Sequence, residues 1–184
     1  MEMYKQKFTK LQNEIFNLLC FKAGEKLNQR TIAGFLRVSP TAIKKALPLL
    51  EKEELIKLEK GKNINLNFVS LNQDNKRAIE LKRIQNLKNI YESGLADFLE
   101  ENLPGCTIIL FGSYSRGEDI MKSDVDIAII GTRGKEVDLN VFEKKMEKEI
   151  RINFCRSFKD VHSYLKLNIL NGIILAGAVE LWNL

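Results

Sequence analysis

Residues 107–130 constrain this chain more than any other stretch. An apolar run of Thr107, Ile108, Ile109, Leu110 and Phe111 breaks at Gly112-Ser113, passes through a polar helical segment, and resumes as Val125 to Ile130 with two carboxylates at its mouth. The pattern predicts a strand, a tight turn, a short helix and a second strand. Gly112 lets the backbone come close to a ligand, and Ser113 sets a hydroxyl beside the unpaired N–H groups that open the helix, a place that suits a phosphate. Asp124 and Asp126 lie two apart at a strand start, so both leave one face while Val125, Ile127 and Ile129 point to the other. Mg²⁺ keeps several waters and takes the rest of its shell from carboxylate and phosphate oxygens. The spacing therefore predicts a metal-bound nucleoside triphosphate.

The stretch FGSYSRGEDIMKSDVDIAII resembles the signature of the nucleotidyltransferase superfamily that includes DNA polymerase β, in its minimal form. Gly112, Ser113, Gly117, Ser123, Asp124 and Asp126 carry the likeness, with Arg116 beside Gly117. The resemblance implies nucleotide binding at Gly112, Ser113, Arg116, Gly117 and Ser123, and a catalytic metal, Mg²⁺ or Mn²⁺, on Asp124 and Asp126. Arg116 either contacts the phosphates or pairs with Glu118 or Asp119.

A chain of 184 residues holds one large or two small domains. No apolar run reaches the length of a membrane span and the N-terminus lacks a signal-like stretch, so the expected setting is cytoplasmic, away from membranes. Cys20, Cys106 and Cys155 are scattered through apolar runs and read as buried thiols. Charge divides unevenly: residues 1–92 carry 18 Lys and Arg against 10 Asp and Glu, net +8, and residues 93–184 carry 11 against 14, net −3. A basic half beside an acidic half holding the carboxylate motif predicts two domains with different partners.

The N-terminal half predicts a helix from about Tyr4 to Phe21, a second from Leu27 to Leu36, a turn at Arg37-Val38-Ser39-Pro40, and a third from Thr41 to Glu54. Ser39 is placed to cap the third, with Pro40 at its first position; Pro48 inside it should bend it. Leu55 to Val69 reads as two strands around a basic tip, Glu59 to Asn63. Together these resemble a winged helix-turn-helix, a module that either binds DNA or docks proteins and dimerises. In the DNA-binding case Thr41, Lys44 and Lys45 face the major groove and Lys60 and Lys62 reach phosphates. A connecting helix, Gln73 to Tyr91, presents Ile79, Leu81, Ile84, Leu87, Ile90 and Tyr91 as its apolar face and Lys82 among its cations.

Beyond the motif, Asn140 to Lys148 is expected to be helical with Val141, Phe142 and Met146 inward. Glu149 to Cys155 alternates as a strand, with Ile150, Ile152 and Phe154 in the core and Glu149, Arg151 and Asn153 facing the site. Active members of the superfamily set a third carboxylate on this strand. Here the position offers Asn153 or Arg151, and only Glu149 carries negative charge, so transfer is less secure than nucleotide binding. The tail predicts a helix from Ser157 to Leu170, with His162 a boundary residue on it, then a strand, Ile173 to Ala176. Trp182 anchors the tail or a partner.

The expected fold is α+β: a winged helix-turn-helix domain over 1–70, a linking helix over 71–92, and a mixed-sheet α/β nucleotidyltransferase domain over 93–184. This order is similar to that of prokaryotic, particularly archaeal, nucleotidyltransferases. The expected activity moves a nucleoside monophosphate from Mg-NTP to an acceptor hydroxyl on a protein, as in antitoxins that modify a toxin, on a small molecule or on a nucleic acid. The alternative is a DNA-binding regulator, homodimeric as winged helices often are, whose transferase domain only senses nucleotide.

Overall fold

The computed structural model describes residues 8–61 and 67–179, which divide into two compact units, Met1–Lys82 and Arg83–Leu184. The division falls inside one helix. Lys62 and Asn63 of the hairpin tip, the start of the first predicted helix, and Trp182 lie outside the described residues.

The first helix, α1, covers Lys10–Phe21 and opens on a capping box. Thr9 Oγ1 accepts from the Gln12 N–H at 3.3 Å while Gln12 Oε1 accepts from the Thr9 N–H at 2.9 Å. The buried Gln12 amide also donates to the Ala46 carbonyl, 3.2 Å away. Leu27–Asn28 is a short strand, β1, and not the start of the predicted second helix: it pairs antiparallel with Val69 and Phe68. Asn28 stops the helix extending backwards because its Oδ1 caps Thr31 N–H at 2.9 Å, so α2 runs Gln29–Leu36.

Ser39 caps α3, Pro40–Lys52, through its Oγ and the Ala42 N–H at 3.2 Å, with Pro40 at the first turn. The helix continues through Pro48, which is exposed, so water can serve the carbonyl that proline leaves unpaired. Strands β2, Ile56–Lys60, and β3, Asn67–Leu71, pair antiparallel, and the sheet order is β1-β3-β2. Helices and sheet close over Ile15, Leu19, Ile32, Ile43, Leu50 and Val69. This is a winged helix-turn-helix arrangement.

The connecting helix, α4, spans Lys76–Glu92. Its N-terminus is capped by Asn75 Oδ1, which accepts from Arg77 N–H at 2.8 Å and Ala78 N–H at 3.2 Å. The predicted apolar face is wrong in part: Ile84 and Tyr91 are exposed, and the buried row is Ala78, Lys82, Asn86 and Ile90. Apolar periodicity misreads this helix because polar side chains occupy inward positions, where hydrogen bonds replace water.

The second unit begins with α5, Leu95–Asn102, followed by β4, Thr107–Phe111, the short α6, Gly112–Arg116, and β5, Val125–Ile130. Then come α7, Asn140–Met146, β6, Ile150–Cys155, α8, Ser163–Leu170, and β7, Ile173–Ala176. The sheet order is β6-β5-β4-β7, with β5 and β6 parallel and the other pairs antiparallel, as a mixed sheet requires. Period-two alternation splits its faces. Ile108, Leu110, Val125, Ile127, Ile129 and Ile150 pack with α5 and α7, whereas Ile109, Phe111, Ala128 and Ile130 pack with Phe158, Val161 and Ile169.

Four expectations fail here. Val141 points to solvent, and α7 ends at Met146 because Glu147 adopts a left-handed conformation, φ 51°. The tail helix is broken: a 3-10 turn at Phe158–Asp160 is followed by extended Val161, whose side chain joins the small core, and His162 precedes α8 with its ring 4.6 Å from Tyr164. Cys106 and Cys155 are half-buried, and only Cys20 is buried as expected.

Candidate active site

Three strands and one loop build the site. Asp126 sits on β5 directly across from Phe111 of β4 and Arg151 of β6, and it shares its face with the small core. Asp124 ends the loop before β5, where the following Val125 N–H donates to the Glu149 carbonyl at 2.8 Å.

Gly112 turns the chain out of β4 at φ +76°, and a Cβ there would overlap Asp126 Oδ2. Any side chain would thus meet both backbone strain and the carboxylate. The group that comes close to Gly112 within the chain is Asp126.

The loop from Gly117 to Asp124 is held from beneath by Lys148. Its buried Nζ lies 3.3 Å from Asp119 Oδ2 and donates to the carbonyls of Ile120 at 2.7 Å, Met121 at 3.3 Å and Ser123 at 3.2 Å. Asn86 of α4 donates to Asp119 Oδ1 at 2.6 Å and to the Tyr114 carbonyl at 2.9 Å. Tyr114 is buried here. Burial, then the Asp119 charge, raises the pKa of its phenol far above the ordinary value, against a lowering hydrogen bond from Asn89.

Gly117 and Ser123, expected at the nucleotide, also shape this loop. Gly117 is the left-handed end of α6, and Ser123 Oγ accepts from the Ile120 N–H at 3.0 Å. Sequence reasoning missed Lys148, Asn86 and Asp119 as the frame. A lysine two residues before a β-strand and an asparagine on a helix's inward row carry no local signal of burial.

Above the strands lies an open pocket of about 590 Å³, a size suited to a small ligand, walled by Gly112, Arg116, Asp126, Arg151, Asn153 and Tyr164. Arg116 Nε donates to Glu118 Oε2 at 2.7 Å, so of the two acids expected as partners it takes Glu118. Arg151 Nη1 lies 2.8 Å from Asp124 Oδ2, and Arg151 Nε donates to Glu149 Oε1 at 3.1 Å. These two acids, the Glu149 hydrogen bond first, raise the guanidinium pKa further. Asp126 is held above the ordinary carboxylate value, first by burial and then by Asp124, with Arg151 and Arg116 pulling the other way.

The donors fit one divalent ion. Asp126 lines the pocket and Asp124 is tied to its wall through Arg151, and two such carboxylates are the protein share that Mg²⁺ takes when it also binds a triphosphate. They do not fit a second ion. Among the described residues no three of His, Cys, Asp and Glu come together as a metal cluster, and β6 sets a cation opposite Asp126.

Residues 92–175 match the model of the nucleotidyltransferase domain family. The match runs from the end of α4 to β7 and so takes in all four strands of the mixed sheet. No curated protein matches the chain. Among solved structures, the zinc-responsive MarR family member ZitR of Lactococcus lactis is similar at 28% identity over 53% of this chain and 63% of that chain, with TM-score 0.39. The adhesin competence repressor AdcR of Streptococcus pyogenes is similar at 20% identity over 53% and 69%, with TM-score 0.41. Likeness at these scores says nothing about role. The carboxylate pair, the Gly112 turn and the pocket all fall inside the segment that matches the nucleotidyltransferase domain model. No helix among the described residues is long and apolar enough to cross a membrane.

Proposed function

We propose that this chain transfers a nucleoside monophosphate from an NTP to an acceptor hydroxyl. The observation that carries the reading is Asp126 against the Gly112 turn and in its pocket, with Asp124 joined to the pocket's Arg151, within a segment that matches the nucleotidyltransferase domain. Asp124 and Asp126 would hold Mg²⁺ or Mn²⁺, which on binding neutralises phosphate charge. Ser113 and Arg116 border the turn where the triphosphate would lie. The acceptor oxygen bonds to the α-phosphorus, the bridge to the β-phosphorus breaks, and pyrophosphate leaves. Asn153, an amide, takes no proton, so the hydroxyl's proton passes to solvent.

Calorimetric titration of ATP, GTP, CTP and UTP with Mg²⁺ tests this reading. Metal-dependent binding by the wild type that disappears in Asp124→Ala with Asp126→Ala is the expected result. Binding that survives both substitutions would refute the site.

A second reading, DNA binding by the first unit, is favoured by α3, which exposes Thr41, Lys44 and Lys45 along one stretch behind the Ser39 cap, and by exposed Lys60 at the end of β2. Lys44→Ala with Lys45→Ala should weaken binding of mixed-sequence duplex DNA and reduce its salt slope by about 2. Unchanged binding would remove α3 from that role.

A further inference from the structure

Arg151 stands where a third metal-binding carboxylate would be needed to bring a second ion to this sheet. It is in register with Asp126, its Nη1 is 2.8 Å from Asp124 Oδ2, and its guanidinium is gripped from behind by Glu149 at 3.1 Å and 3.5 Å. More than half of the side chain is exposed, 56%, so it can turn from Asp124 toward the pocket without giving up a buried contact. A guanidinium keeps its charge at every working pH and presents paired donors that fit carboxylate or phosphate oxygens. Resting on the nucleotidyltransferase reading, we propose that the Arg151 guanidinium takes the place of the second metal ion, so that the site works with one divalent cation and one arginine.

The argument is one of charge and place. A divalent ion beside Asp124 on the β6 side would meet a fixed positive group already within hydrogen-bonding distance of the same oxygen, and like charges at that range repel. The arginine also answers a need the second ion would otherwise meet. It offers donors to phosphate oxygens at the edge of the pocket it lines, where negative charge gathers during transfer. Before nucleotide arrives, the same group holds Asp124 and competes with the first ion. When nucleotide arrives, the phosphates give the arginine a new partner and release Asp124 to the metal.

The test reads Mn²⁺ by electron paramagnetic resonance, on the full chain, for the wild type, Arg151→Gln and Arg151→Asp. Without nucleotide, Arg151→Gln should bind Mn²⁺ several-fold more tightly than the wild type, because the competing cation is gone. With a saturating α,β-methylene ATP analogue, the wild type should hold one Mn²⁺ and Arg151→Asp two. Equal Mn²⁺ affinity of wild type and Arg151→Gln, or two ions in the wild-type complex, would overturn the proposal while leaving nucleotide binding intact. Failure of the wild type to bind the analogue would sink the transferase reading and the stand-in role with it, while the nucleotide-free Mn²⁺ difference would then show only that Arg151 competes with a cation for Asp124.

Discussion

Two ion pairs flank the loop from Gly117 to Asp124, and they are built from the same chemistry. Beneath the loop, Lys148 and Asp119 are almost fully buried, with side-chain exposures of 4% and 2%. Above it, Arg151 and Asp124 are open to solvent, at 56% and 27%. The lower pair is surrounded by further partners, three carbonyls on the lysine and Asn86 on the aspartate, so neither charge can leave without stranding the other. The upper pair can exchange partners with water, metal or phosphate at little cost. Burial decides which ion pair is a fastener and which is a switch.

Breaking the fastener should have the largest effect. Lys148→Met leaves Asp119 charged and buried, a loss of about 3–5 kcal/mol, seen as a lower Tm and as weaker nucleotide binding once the loop is unpinned. If the variant melts with the wild type, the contrast between the pairs is false.

Next in size, Gly112→Ala forces a side chain into a left-handed backbone at about 1–3 kcal/mol and pushes on Asp126. Titration should show Mg-nucleotide affinity falling together with stability.

Asp126→Asn should reveal a smaller, pH-dependent gain. Burial and Asp124 raise the Asp126 pKa above its ordinary 3.8, so the folded state binds this proton more readily than the unfolded chain. Wild-type stability therefore declines as pH rises from the ordinary value to the raised one and stays lower above it. The Tm advantage of Asp126→Asn should be greater at pH 7 than at pH 3.5; the reverse order would contradict the cause assigned.

Arg151→Gln should be the least disruptive to stability, with Tm nearly unchanged, since an exposed pair contributes little. A large drop would make it a second fastener.

The same contrast explains what could be read from the sequence. The apolar alternation of Ile108 to Phe111 and Val125 to Ile130, the cap at Ser39-Pro40 and the Asp124/Asp126 pair were legible because each is a local pattern with a local cause. Gly112 was legible as a glycine that something must approach, although its intramolecular neighbour, Asp126, comes from strand pairing across fourteen positions. Lys148, Asn86 and Asp119 were not legible, because a polar residue gives no sequence sign of burial until its partners from distant elements are known. The same holds for the break at Val161, where a buried valine overrode helical periodicity, and for Leu27-Asn28, where β3 recruited residues that by themselves read as helix.

The Gly112 geometry also bears on handedness. Of its two α-hydrogens, the one an L-residue would replace points into the Asp126 carboxylate, so the position distinguishes mirror images although glycine itself has none. A D-alanine, introduced by chemical ligation, would accept the +76° φ and direct its methyl group away from Asp126. Comparing the two alanine enantiomers at this one position would measure together the demand for space at the carboxylate and the demand for an unusual backbone angle, since L-alanine meets both and D-alanine neither.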